Sequence, residues 1–326
     1  MDVSIIIVNW NSADYVRECI RSVAEHTHGV PFEVIVVDNA SPCDDVSGLK
    51  EDFPNITLIK SRENLGFARA NNLGFGVSSG EHIVFLNPDT KLLNSAINVM
   101  LRHLKSQPNA GIVGCKLLNE DLSVQTSCIQ TFPTILNQVL DTDYLRRRWP
   151  NSRLWGTGPL YSGDAQPVQV EVVSGACMMV KRQVFQMAGM FCEDYFMYGE
   201  DVDLCYKVAR AGFANWYVGD ATVIHCGGKS SVPMAATVMK WRSLVHYCAK
   251  NRGWLYALAF RIAMAFAATA RLVIIAGVSL FGRNLIDRNT RWSVGAKWRA
   301  IFKTLLLPAD SARVVLAKNA VEQPPS

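Results

Sequence analysis

Val3-Ser4-Ile5-Ile6-Ile7-Val8 is an apolar, β-branched run interrupted only by one serine. It is too continuous for a strand with one face in water and predicts a strand buried on both faces. A polar turn, Asn9-Trp10-Asn11-Ser12, follows, and then a helical stretch near Tyr15 to Glu25. The pattern recurs: Phe32-Glu33-Val34-Ile35-Val36-Val37 ends at Asp38-Asn39-Ala40-Ser41, Ile56-Thr57-Leu58-Ile59 ends in a polar loop, and His82-Ile83-Val84-Phe85-Leu86 ends at Asn87-Pro88-Asp89. Such alternation predicts an α/β domain of buried parallel strands joined by helical crossovers. Ligands of these sheets bind outside the carboxyl ends of the strands, so Asn9, Asp38, Asn64 and Asp89 are expected to converge on one crevice. Residues 131–170, with four prolines and the basic run Arg146-Arg147-Arg148, read as a loop-rich excursion from the sheet.

The chain's 326 residues exceed the ~250–300 at which a single core stops growing. We expect a catalytic domain over 1–235 and a basic, apolar, helical region over 236–326. From Lys240 onward 14 Lys/Arg stand against 3 Asp/Glu, a surplus of 11 in a chain of net charge +5, which leaves the preceding residues at −6. Trp254 to Phe281 is nearly all apolar, and Ile262 to Gly282 is long enough for a bilayer. Arg271 falls in the middle, however, where an arginine costs at least ~2.5–3.5 kcal/mol. The tail is therefore expected to lie on an anionic membrane surface, with Arg261 and Arg271 at the water boundary and Trp254, Tyr256 and Phe260 among the inserted groups. Packing on the catalytic domain or in an oligomer, and a true single membrane span, are the competing uses of such helices. No nucleic-acid partner is expected. The nine cysteines are an odd, scattered set with no CxxC pair, which suits reduced core thiols. With no signal-like start before the first strand, they favour an active site on the cytoplasmic face.

Several constellations can carry chemistry. Asp38 suits a ribose or base edge, and equally a turn aspartate. The first turn has none of the glycines of a GxGxxG cradle, which excludes a dinucleotide dehydrogenase. In Arg62-Glu63-Asn64-Leu65-Gly66-Phe67-Ala68-Arg69-Ala70-Asn71-Asn72 a glycine opens a helix whose start suits a diphosphate or nucleoside, though Asn64 also fits as a cap. Asp89 can tether Mg²⁺ or Mn²⁺ to phosphate oxygens. Glu200, Asp201 and Asp203 cluster at a helix start beside Tyr195, Phe196 and Tyr198, an arrangement that needs a helix terminus, a metal or a substrate to offset repulsion. His225-Cys226-Gly227-Gly228-Lys229-Ser230 joins a potential metal ligand to a loop that can approach phosphate, with only the last part of a P-loop motif.

Taken in order, Ile6-Ile7-Val8-Asn9-Trp10-Asn11, Val36-Val37-Asp38-Asn39-Ala40-Ser41, Asn64-Leu65-Gly66-Phe67-Ala68, Asn87-Pro88-Asp89, Ser174-Gly175-Ala176, Tyr198-Gly199-Glu200-Asp201-Val202-Asp203 and His225-x-x-Gly228-x-Ser230 resemble glycosyltransferase family 2, and within it the bacterial rhamnosyltransferase-like enzymes. The resemblance covers about Asp2 to Ser231. It implies a GT-A fold, a Rossmann-like and mostly parallel sheet flanked by helices, with a nucleotide-sugar-binding half in 1–115 and an acceptor-binding half in 116–235. It also implies inverting chemistry with Mg²⁺ or Mn²⁺, a nucleotide-sugar donor and a lipid-linked saccharide acceptor. Carried over by residue, it gives Asn9, Asp38, Asn64, Gly66 and Asn71 to the donor nucleotide, Asp89 to the metal, and His225 to the metal or the diphosphate. Asp201 becomes the general base, Gly175, Ala176, Glu200 and Asp203 border sugar and acceptor, and Lys229 and Ser230 face the diphosphate. Two positions depart from the family pattern: Asn-x-Asp replaces Asp-x-Asp, and Cys192 stands where many relatives have an acid. A nucleotidyltransferase would carry a Gly-rich basic loop after the first strand, which is absent, and a non-catalytic scaffold would have lost Asp201.

Overall fold

The computed structural model describes residues 1–43, 46–162, 166–227, 233–281, 295–296, 298–299 and 301–302. The chain divides into two compact units, Met1–Phe132 with Asp141–Ser231, and Pro133–Leu140 with Val232–Ser326.

In the first unit the elements run β1 (Val3–Asn9), α1 (Ala13–His26), β2 (Phe32–Asp38), α2 (Gly48–Asp52), β3 (Thr57–Lys60), α3 (Gly66–Val77), β4 (His82–Leu86), β5 (Thr90–Leu92), α4 (Ala96–Ser106), β6 (Ala110–Leu118) and β7 (Ile129–Gln130). After α5 (Ile135–Leu140), which belongs to the second unit, come α6 (Asp143–Arg148), β8 (Val168–Val170), β9 (Val172–Val173), β10 (Cys177–Lys181), α7 (Arg182–Met187), α8 (Glu200–Arg210) and β11 (Ala214–His225). Among the described residues one mixed sheet has the order β3-β2-β1-β4-β10-β6-β11-β5, with β8 on β11.

The uninterrupted apolar runs take the centre, and every residue of β1 and β4 is buried. Strands β3, β2, β1 and β4 are parallel neighbours, as expected, but β3 is not the buried strand its apolar run predicts: it lies at the sheet edge, with all four residues exposed or only half-buried. The chain works outward from β1 to β3 and then returns to the far side of β1, which makes a switch point at their carboxyl ends. Register places Asn9 beside Asp38 there. The sheet then reverses: β10 runs antiparallel to both β4 and β6, and β11 runs antiparallel to β5, setting His225 opposite Thr90.

The excursion over residues 131–170 is less loop-like than its prolines suggest, since it holds two six-residue helices. The basic run sits on α6, where Arg146 donates to both carboxylate oxygens of Asp141, at 2.6 and 3.0 Å. Arg146 is therefore committed to an ion pair within the protein. All nine cysteines are free thiols, six of them buried, and burial pushes the Cys19 thiol up to about 12.

The second unit contains α5, α9 (Pro233–Arg252) and α10 (Trp254–Phe281). Ala257, Phe260, Met264 and Ala268 of α10 are buried, Phe260 against Trp241. The hydroxyl of Tyr256 accepts from the Ile135 amide at 3.1 Å. Arg271, expected at a water boundary, instead donates to the Val139 carbonyl at 2.7 Å and stacks over Trp298. Phe260 and Tyr256 thus serve the unit's own packing, and Trp254 alone of the three aromatic residues expected to insert is exposed. Leu255, Leu258, Ile262, Phe266 and Val273 join it on the exposed face. Within α10 the stretch Trp254–Gly277 is long and apolar enough to cross a membrane.

Candidate active site

The carboxyl ends of β1 and β2 are joined by a buried polar knot. Asn9, with no exposed surface, donates to Asp38 Oδ1 and to Ser41 Oγ at 3.1 Å each, and its Oδ1 accepts from both the amide and the hydroxyl of Ser12. Ser41 donates to Asp38 at 2.6 Å. These bonds orient the Asp38 carboxylate at the switch point. Next to it Asn39, also buried, links the end of β2 to the following loop: its amide donates to Asn64 Oδ1 and to the Gly66 carbonyl, and its Oδ1 accepts from Leu65 N–H at 2.8 Å.

Gly66 has φ +76°, and a Cβ there would stand 2.3 Å from the Phe196 carbonyl oxygen. Only glycine permits that approach, through which the Phe67 amide donates to Phe196. The opening amides of α3 are thus bonded to Asn39, Asn64 and Phe196, so protein acceptors already occupy the helix start expected to take a diphosphate. The polar side chains of this helix are likewise committed. Asn71 is buried and donates to the Phe67 carbonyl, Arg69 pairs with Glu193, and Asn72 bonds Phe191 and Glu193.

Antiparallel pairing of β5 with β11 folds the segment after β4 onto His225. Asp89 Oδ1 lies 3.4 Å from His225 Nε2, and both side chains are mostly buried. A carboxylate oxygen and an imidazole nitrogen this close have the chemistry to hold a shared divalent cation. Asn87, in place of the usual first aspartate, faces the same nitrogen with Nδ2 at 3.2 Å.

A hydrogen-bonded path connects this pair to the acidic helix. Asn87 N–H donates to the Ala176 carbonyl, and the neighbouring Gly175 N–H donates to Asp201 Oδ2 at 3.0 Å. A side chain at Gly175 would press on Asp201, with a Cβ 3.1 Å from its Cβ. The three acids of α8 separate by environment. Asp201 also accepts from Val202 N–H at 2.8 Å. Asp203 has no exposed surface and lies 3.8 Å from Lys207 Nζ. Glu200 is 5% exposed with no hydrogen-bond partner on Oε2, and burial reinforced by Asp201 raises its pKa to about 8. Lys229 and Ser230 lie outside the described residues.

Glu200 gives a prediction with a definite sign. Its folded pKa, about 8, exceeds the ordinary 4.5, so between those values the native state holds a proton that the unfolded state has lost. Its contribution to stability is complete below 4.5 and lost as pH rises towards 8. Glu200→Gln should flatten the fall in melting temperature across that window. Parallel melting curves for variant and wild type would refute the assignment.

Two further side chains shape this geometry: Asn39, whose place after a buried strand is a sequence signal, and Gln125, which bonds the His225 carbonyl and ring and carries no sequence signal.

The family model for glycosyl transferase family 2 matches residues 4–187, and the chain belongs to that family. It is a glycosyltransferase. The chain is 28% identical over 235 residues to the N-acetylglucosaminyl-diphospho-decaprenol L-rhamnosyltransferase of Mycobacterium tuberculosis H37Rv, covering 68% of this chain and 75% of the relative. Identity to the rhamnosyltransferase WbbL of Escherichia coli K12 is 23% over 261 residues, 77% of this chain and 94% of that one. Among solved structures, the mannosyltransferase PcManGT of Pyrobaculum calidifontis, in complex with GDP-Man and Mn²⁺, superposes with a TM-score of 0.60 at 18% identity, covering 93% of this chain and 86% of that one. The GT-A fold expected from the motifs is the fold observed.

Proposed function

We propose that this chain is an inverting glycosyltransferase that moves L-rhamnose from dTDP-L-rhamnose to a lipid-linked saccharide in cell-wall or surface polysaccharide synthesis. The observation that carries the reading is the linked set Asp201, Gly175, Ala176, Asn87, His225 and Asp89, which brings a candidate base and a candidate cation site together beside the buried Asn9–Asp38 knot. Rhamnose is favoured by the two rhamnosyltransferase relatives.

Asp38 holds the nucleoside, with Asn64 at the rim of the same crevice. Asn9, expected to touch the nucleotide, is wholly buried with its side-chain amide bonded to Asp38, Ser41 and Ser12, and acts by orienting Asp38. Asp201, oriented by two backbone N–H groups, takes the proton of the acceptor hydroxyl as that oxygen bonds to the anomeric carbon and the nucleoside diphosphate leaves with its electron pair. Mg²⁺ or Mn²⁺ held by Asp89 and His225 would supply positive charge to the departing diphosphate. Glu200 keeps its own proton near neutral pH and so is a poor base, which separates it from Asp201. Residues 1–115 form the donor half and 116–235 the acceptor half.

Incubating the enzyme with a panel of nucleotide sugars and a lipid-diphosphate saccharide, and measuring released nucleoside diphosphate, tests the assignment. The expected result is acceptor-dependent release, strongest with dTDP-L-rhamnose. Strong release from another donor alone would refute the rhamnosyl assignment.

The region over 236–326 places the enzyme at an anionic membrane surface, a role supported by the exposed apolar face of α10 and by the tail's 11 surplus cations. Ile262→Asp combined with Phe266→Asp should abolish most co-sedimentation with anionic vesicles and leave release of nucleoside diphosphate from a soluble acceptor analogue intact. Wild-type protein that stays in solution with such vesicles would sink the attachment, and resistance to carbonate extraction would point to a span.

A further inference from the structure

We propose that Gln125 is a positioning residue that dictates which nitrogen of His225 faces Asp89. The inference rests on the reading of Asp89 and His225 as the cation site. The backbone carbonyl of His225 can only accept, so the side-chain amide atom of Gln125 lying 2.6 Å from it is a donating N–H. The same nitrogen reaches Asn119 Oδ1 at 2.9 Å. The other amide atom is therefore the oxygen, which can only accept, and it lies 3.0 Å from His225 Nδ1. Nδ1 must then carry a hydrogen. In the uncharged ring this leaves Nε2 as a bare lone pair.

Nε2 is the atom turned to the site. The Asn87 Nδ2 group, 3.2 Å away, supplies an N–H that matches a lone pair, and Asp89 Oδ1 lies 3.4 Å away. A bare nitrogen and a carboxylate oxygen at that separation repel one another until a cation takes both. Gln125 thus presets the imidazole as a ligand before any ion arrives, the task that outer hydrogen-bond partners perform for metal-binding histidines. Its own backbone is pinned on both sides, since its N–H donates to the Leu117 carbonyl at the end of β6 and its carbonyl accepts from Cys128 N–H. The turn before it is closed by the Leu118–Val124 bridge and by Asn119 bonding Ser123. The amide therefore reaches His225, 100 residues away in sequence, from a rigid base.

The test reads the ring directly. In metal-free full-length protein labelled with ¹⁵N-histidine, long-range ¹H–¹⁵N correlations report which nitrogen is protonated, with the His225 signals identified by their loss in His225→Asn. Wild type should show the Nδ1–H form. Gln125→Glu, which keeps an acceptor opposite Nδ1, should show it too. Gln125→Leu should shift towards Nε2–H and bind Mn²⁺ about 10–100-fold more weakly. A wild-type ring protonated mainly at Nε2 would overturn the proposal. So would a folded Gln125→Leu protein with unchanged tautomer and unchanged Mn²⁺ affinity. If the leucine variant does not fold, the wild-type and glutamate spectra decide. Mn²⁺ that leaves the His225 signals of the wild type unbroadened would refute the cation site itself, whatever the tautomer.

Discussion

Asp201→Asn is expected to lower turnover by about 10²–10⁴ while leaving donor affinity within a few-fold of wild type. The substitution preserves the size of the side chain and an oxygen that can accept from Gly175 N–H, so the path from α8 to the cation pair survives. What it removes is the capacity to take a proton. Turnover and nucleoside-diphosphate affinity, measured separately, check the split. Glu200→Gln provides the contrast, because Glu200 is buried and protonated near neutral pH and should tolerate the change with most of its turnover intact. A dead Glu200→Gln enzyme beside an active Asp201→Asn enzyme would show that the wrong carboxylate has been named.

The second large effect is expected at Asp89. It is the one carboxylate of its Asn-Pro-Asp motif, and nothing else in that motif can replace its negative charge. Loss of an outer partner of a metal ligand costs 10–100-fold in affinity, so Asp89→Ala should cost at least about 100-fold in Mn²⁺ affinity. Calorimetric titration with Mn²⁺ measures this without substrate. Donor binding should weaken in parallel, and chelator should reproduce the effect in the wild type. Unchanged Mn²⁺ binding in the variant would remove Asp89 from the site.

The donor side of the fold was legible because its strands are buried on both faces. Val3–Asn9, Phe32–Asp38 and His82–Leu86 cannot alternate, and parallel pairing with polar residues at their ends follows. The insertion of antiparallel β10 between β4 and β6 was not legible, because pairing between strands so distant in sequence leaves no local mark. The same limit hid the Gln125 contact, and it hid the capture of the α3 helix start by Phe196, although Gly66 was visible as a special position. In the second unit, α10 is apolar all round, so periodicity could not separate Phe260, which is buried, from Phe266, which is exposed. Arg271 was read by its cost in a bilayer, whereas its partners, Val139 and Trp298, are set by tertiary packing.

The configuration of the product tests the central claim most directly. One base, Asp201, acting in a single displacement requires the acceptor oxygen to enter opposite the departing diphosphate. Proton NMR of the purified glycoside should show the anomeric configuration inverted relative to that of the donor sugar. A product that retains the donor's configuration would contradict the account.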